Sequence, residues 1–208
     1  MHRSLSRNLC STMFLLAVGT VNSAAIGNQP GRAGLEALVP GPRISCSPHG
    51  APAEPSDVPA TSALPHHEKF MAAEHFKENI SPAAEARISW LGATFLRRFA
   101  AKIEDDPDDV MLQTYALNKP SSNFQILAGL DDHRETKLTD LWCLLKLQAG
   151  GEDGALQTNA VPNIFFVRDA AGLLGAVDAI WGGAGWEIGA SPLEGPRQWP
   201  SGSRVISR

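Results

Sequence analysis

The residues able to support acid–base catalysis are one acidic cluster with a histidine and one isolated aspartate. Asp131, Asp132 and His133 are consecutive, and Asp178 lies in a β-type run nearer the C-terminus. A carboxylate and an imidazole can serve as acid and base when both reach one substrate. Asp132, His133 and Asp178 are therefore the candidates if the protein is a hydrolase or an isomerase. Asp132 also precedes a predicted helix, where a capping role explains it more simply.

A second group of residues has the spacing of a metal site. His67, Met71 and His75 lie four residues apart, so a helix would place them along one side. Imidazole and thioether groups together suit copper, and the pattern would fit a copper carrier. No cysteine or carboxylate obviously completes the ligand set, and solvent-facing histidines beside a buried methionine explain the spacing as well. No motif in the sequence indicates another cofactor.

The cysteines favour a structural role over a catalytic one. Cys143 follows a tryptophan on a predicted apolar helix, and apolar surroundings raise the pKa of a thiol rather than lower it. Cys46 lies in a proline-rich stretch. In an oxidising compartment the two could form a disulfide, and the alternative is one buried thiol and one incidental one.

The stretch WGGAGWEIGASPLEGPRQWP contains three of the five tryptophans. If the residues on each side of GGAG form a hairpin, Trp181 and Trp186 lie close together at its loop end. Strand alternation then places them on the face opposite Asp178 and Glu187. These four residues are the candidates for contacting a ligand or partner.

The sequence leaves two interpretations of this hairpin open. Indoles pointing inward would bury large apolar areas and close the sheet over the helices. Indoles pointing outward would offer a stacking surface for sugar rings or proline-rich peptides. Trp199, between glutamine and proline, is predicted to be structural.

The N-terminus is typical of a secretory signal. Basic residues precede the apolar run MFLLAVGTV, and small residues around Ala25 allow cleavage, which assigns residues 1–25 to a signal peptide. Cleavage there leaves 16 basic and 22 acidic residues, a formal net charge of −6. We therefore expect a periplasmic or secreted protein. An acidic chain is expected not to bind nucleic acid, and no membrane span is expected in the mature chain.

Composition divides the rest of the chain into two parts. Residues 26–65 contain eight of the fifteen prolines, which predicts a flexible linker that cannot form a strand or a helix. Residues 66–208 are predicted to form a single α+β domain.

Within that domain, apolar spacing predicts helices first and strands later. Residues 81–104 have a stripe at helical spacing and predict a six-turn helix, and residues 133–148 predict another. VMLQTYAL favours a short helix, and FQILAGL favours a strand or an irregular turn. NIFFVRD, LLGAVDAIW and WEIGAS predict a meander, which RVIS could extend. The predicted fold is α+β, with N-terminal helices packed on a C-terminal antiparallel β-meander of three to four strands.

These observations favour a non-catalytic binding domain that contacts a protein or a cell-envelope component. A small enzyme with a pocket between helices and sheet is one alternative, and a copper carrier is the other. No motif identifies the ligand.

Overall fold

A computed structural model describes residues 37–47, 69–105 and 109–208. Within those residues the chain forms eleven strands, four short helices and one 3-10 turn, Asp131–His133. The strands are β1 Leu38–Cys46, β2 Phe70–Met71, β3 Ile88–Leu91, β4 Ile103–Glu104, β5 Val110–Leu117, β6 Ser121–Ser122, β7 Asn163–Arg168, β8 Leu174–Trp181, β9 Trp186–Pro192, β10 Gln198–Trp199 and β11 Arg204–Ser207. The helices are α1 Ala72–His75, α2 Ala93–Phe99, α3 Asn123–Leu130 and α4 Leu138–Leu147.

One mixed sheet organises the described part of the chain. Its seven strands follow the order β1–β5–β11–β7–β8–β9–β3. The β11–β7 and β3–β9 pairs are parallel, and the other neighbouring pairs are antiparallel. The predicted fold class is therefore wrong. The meander β7–β8–β9 exists, but it is the middle of a larger sheet, and β11 lies beside β7 and not at the end of a meander.

The sheet is covered on both faces. On one face its apolar side chains pack against α2, α4 and the residues around α1, including Phe95, Phe99 and Leu141. On the other face they pack against α3 and Trp199. The central strand β7 is consequently apolar on both sides, since all of its residues but the last are buried.

Strand β1 corrects the prediction for the proline-rich segment. Residues 38–46 pair with β5, so the prediction that this stretch cannot form a strand is wrong, and the folded unit does not begin near His66. Pro40 and Pro42 are tolerated because β1 is an edge strand with a register shift between Pro40 and Arg43. The remainder of the predicted linker and the predicted signal peptide lie outside the described residues.

A disulfide ties this edge strand to the helical layer. Cys46, the last residue of β1, is bonded to Cys143 of α4, with 6.1 Å between the two Cα atoms. Both cysteines are buried in the core beneath α4. The N-terminal strand is thereby joined covalently to the middle of the domain.

The predicted six-turn helix over residues 81–104 is also wrong. Its first half contains β3, and its second half contains the seven-residue helix α2. Gly92 separates them with an extended backbone, and its N–H donates to the carbonyl of Ile188 at 2.9 Å. The predicted stripe combined residues of β3 and of α2, because the apolar residues of the strand and of the following helix are spaced three or four apart as they would be in one helix.

Three shorter predictions change as well. VMLQTYAL forms β5, and FQILAGL forms α3, which begins with a capping box between Ser122 and Gln125. The helix predicted from residue 133 begins only at Leu138. Glu104 of β4 accepts the N–H groups of Leu138 and Thr139, each at 2.9 Å. That carboxylate, and not Asp132, satisfies the first turn of α4.

Candidate functional site

A cavity of about 280 Å³ lies between the start of α2 and the outer edge of β9. Strand β3 pairs with β9 only from Trp186 to Ile188, so the rest of this edge has no neighbouring strand. Ladder alternation turns the N–H and C=O groups of Ala190 outward there, toward the cavity. Gly92, Thr94 and Gly189 also line the space.

An ion pair between a buried aspartate and an exposed arginine forms part of the cavity wall. Asp178 projects from β8 with its side chain 8% exposed, and Arg197 reaches it with its side chain 43% exposed. The two guanidinium nitrogens lie 3.4 Å from the two carboxylate oxygens. Charge-assisted hydrogen bonds are usually about 2.7–2.9 Å long, so both groups retain capacity for another partner. Burial raises the pKa of Asp178, and the attraction of Arg197 only partly opposes that rise.

An indole stands beside this pair. Trp90 of β3 is 50% exposed, although it is a large apolar residue. Its ring lies against Gly92, where an added Cβ would be 2.9 Å from Trp90 Cη2. The missing side chain at residue 92 therefore lets the indole remain at the cavity wall.

Arg197 is held in place from behind. Its guanidinium lies 3.8 Å from the centre of the Trp199 ring, a cation–π arrangement. Trp199 is buried, and its indole N–H donates to Asn123 at 2.7 Å. Asn123 in turn donates to the carbonyl of Leu193, in the loop leading to Arg197, at 3.1 Å. The first residue of α3 thus anchors the segment that carries Arg197.

A larger groove adjoins the cavity at Thr94. A space of about 500 Å³ shares Thr94 with it and extends along Arg97, Leu174 and Leu193. Arg98, also on its wall, is already paired with Asp169 at 2.8 Å. A ligand larger than a single ring could extend along this groove.

The predicted ligand candidates lie on opposite faces of the sheet. Trp186 is fully buried and donates its indole N–H to the carbonyl of Gln148 at 3.0 Å. Trp181 is partly buried, and the two rings meet edge to face at 5.3 Å. Both rings pack into the core, so the inward interpretation describes this pair. Neither ring lines the cavity. Of the polar candidates, Asp178 lines the cavity, whereas Glu187 lies near Gly182.

The proposed copper ligands do not share a helix. Met71 belongs to β2, and α1 is only four residues long. The His75 ring stacks on Phe70 with 4.4 Å between centres, and burial lowers its pKa. His67 lies outside the described residues. Among residues 37–47, 69–105 and 109–208, no three His, Cys, Asp or Glu side chains are grouped to hold a metal ion.

The predicted catalytic residues are not brought together at the cavity. Asp132 and His133 are exposed on the 3-10 turn after α3. Neither lines the cavity that contains Asp178. Arg197 is instead the charged partner of that carboxylate.

Trp90 and Arg197 are the site residues that sequence reasoning missed. The apolar spacing predicts a helix over residues 81–104, and Trp90 is not among the apolar residues of its stripe. The sequence does contain one indication of this position for Trp90, namely Gly92 two residues later, because a glycine leaves room for an indole to lie against the backbone. The sequence holds no local signal for Arg197, because it lies in the loop just before β10 and meets Asp178 only in the folded chain.

Comparison with models of protein families, with curated proteins and with solved structures finds no match to this chain. In the part of the chain that the structure describes, no helix has the length and apolar character needed to cross a bilayer.

Proposed function

We propose that this protein is an exported, non-catalytic binding domain that holds a cell-envelope component in the cavity between α2 and β9. One observation carries the proposal, namely a half-exposed indole, Trp90, that lines the same cavity as the Asp178–Arg197 ion pair. Ligand sites characteristically combine an aromatic wall with a few placed polar groups.

Two features support the export part of the proposal. The N-terminal sequence is typical of a secretory signal. The Cys46–Cys143 disulfide is a bond that persists in oxidising compartments and is rare in a reducing cytosol.

The test is co-sedimentation of the purified protein with isolated envelopes of the cells that produce it. We expect Trp90→Ala to weaken binding by about tenfold or more, as is usual when an anchoring aromatic residue is truncated. Because Trp90 is half exposed, the variant should keep the circular dichroism spectrum and melting temperature of the parent protein.

The matched control is Phe124→Ala, which truncates an aromatic residue of α3 that is 58% exposed and lies outside the cavity. It should bind as the parent protein does. If Trp90→Ala sediments with envelopes as well as the parent does, the cavity is not the binding site and the proposal fails.

A further inference from the structure

The cavity between α2 and β9 has a wall chemistry that selects among classes of ligand. Among the residues that the structure describes, Asp178 and Arg197 are the only charged ones that line it, and their charges cancel. A cationic ligand would be attracted by Asp178 but repelled by Arg197. An anionic ligand would be attracted by Arg197 but repelled by Asp178. Either ligand would bring a charge that the neutral pair does not compensate next to the buried carboxylate of Asp178, which is unfavourable. A neutral polar ligand avoids this penalty.

The pair offers acceptors and donors side by side. The carboxylate oxygens of Asp178 have free lone pairs, and the guanidinium of Arg197 has more N–H groups than its two long contacts to Asp178 use. Each hydroxyl group donates one hydrogen bond and can accept others. Two hydroxyls on neighbouring carbons can therefore donate to Asp178 and accept from Arg197 at the same time. The Ala190 backbone and the Thr94 hydroxyl add further polar groups on the same wall.

Trp90 supplies the apolar part of the recognition. Its half-exposed ring is a flat surface at the cavity, and Gly92 leaves room for it to stay there. A sugar ring has a face made of C–H groups, which can stack on an indole, and a rim of hydroxyls, which cannot. The volume, about 280 Å³, is just below the range of about 300–1,000 Å³ usual for ligand sites and suits a single ring.

From these features we infer that the cavity binds a neutral carbohydrate, stacked on Trp90 and held through vicinal hydroxyls by Asp178 and Arg197. The inference rests on the proposed function, because it names the class of envelope component that this same site recognises. A longer saccharide would continue past Thr94 into the adjoining groove.

The experiment repeats the envelope sedimentation after two treatments of the envelopes. Periodate cleaves the carbon–carbon bond between vicinal hydroxyls and is itself reduced to iodate, whereas a protease removes protein partners. We expect periodate to reduce the Trp90-dependent binding by about tenfold or more, and protease treatment to leave it within about twofold. Soluble neutral oligosaccharides released from the envelopes should compete with binding, and a proline-rich peptide should not.

Variants of Trp90 and Arg197 extend the same test. Trp90→Phe keeps a stacking ring and should bind the released oligosaccharides within severalfold of the parent protein, whereas Trp90→Ala should lose them. Arg197→Gln should weaken their binding, and Phe124→Ala should not. Binding that depends on Trp90 but survives periodate, or that is lost to protease or to a proline-rich peptide, overturns the carbohydrate inference and leaves the proposed function standing. Binding that does not depend on Trp90 refutes the proposed function itself.

Discussion

At the scale of single residues, two buried aspartates in this fold have opposite electrostatic environments. Burial raises the pKa of Asp178, and the attraction of Arg197, 3.4 Å away, only partly opposes that rise. For Asp169 burial also acts to raise the pKa, but Arg98 and the backbone N–H groups of Leu173 and Ala171 lower it more, and the net direction is down. Each pKa shift makes the free energy of unfolding depend on pH, and the two dependences have opposite signs.

We expect Asp178→Asn to increase stability at pH 7. An aspartate whose folded-state pKa is raised binds more protons folded than unfolded between the ordinary value, about 3.9, and the raised value. Stability therefore falls as pH rises through that window, and the neutral amide avoids the loss. Urea denaturation should show the gain above the window and its disappearance below about pH 3.9.

Asp169→Asn is the matched comparison and should behave in the opposite way. It removes a carboxylate that Arg98 Nε reaches at 2.8 Å, and we expect a loss of about 1–3 kcal/mol at pH 7. Because the folded-state pKa of Asp169 is lowered, its stabilisation exists above its unfolded value and is lost as pH falls through the lowered one. The same sign of pH dependence in both variants would contradict this account.

At the scale of elements, the junction of β3, α2 and β9 positions the candidate site. Gly92 follows β3 with an extended backbone, and Gly185 lets β9 begin close to the backbone at the start of β3. A Cβ at residue 92 would meet the end of the Trp90 side chain, whereas a Cβ at residue 185 would lie 2.9 Å from the backbone nitrogen of Ser89. A half-exposed side chain can move aside, but a paired backbone cannot.

Gly92→Ala and Gly185→Ala should therefore separate binding from stability. We expect Gly92→Ala to displace the indole and weaken envelope binding while changing the free energy of unfolding by less than about 1 kcal/mol. Gly185→Ala should destabilise the fold by about 1–3 kcal/mol, as overpacking does. Urea titrations and the sedimentation assay measure the two effects, and equal destabilisation by both variants would refute the distinction.

At the scale of the whole molecule, the Cys46–Cys143 disulfide closes a loop of the chain across the sheet. The bonded residues are 97 apart in sequence and join edge strand β1 to α4. Linking distant residues restricts the unfolded chain, and removing such a bond typically costs about 2–5 kcal/mol.

We expect the Cys46→Ala, Cys143→Ala double variant to lose stability in that range in urea. The reduced parent protein should be destabilised similarly, and a reducing agent should not affect the double variant. If the parent protein unfolds at the same urea concentration with and without a reducing agent, β1 is held by its pairing with β5 alone.

The sequence by itself determined the features that depend on neighbouring residues. Alternation along β7, β8 and β9 located the hairpins and placed Trp181 and Trp186 opposite Asp178, because a strand turns successive side chains to opposite faces. The apolar spacing over residues 133–148 also located α4, Leu138–Leu147, although the predicted helix began five residues too early. Both patterns are local, so they survive without knowledge of the rest of the fold.

Only the tertiary structure decided the rest. The parallel pairs β11–β7 and β3–β9 join segments far apart in the chain, and such pairing leaves no local turn signal. The prolines around β1 led to the wrong prediction that this stretch forms no strand. Proline is tolerated in a strand at the edge of a sheet, and the sequence does not show that β1 lies at an edge. The cavity needs Trp90 of β3, Asp178 of β8 and Arg197 of the loop between β9 and β10 in one place. The spacing of these three residues in the sequence does not predict that they line one cavity, since long-range packing sets the strand order that brings them together.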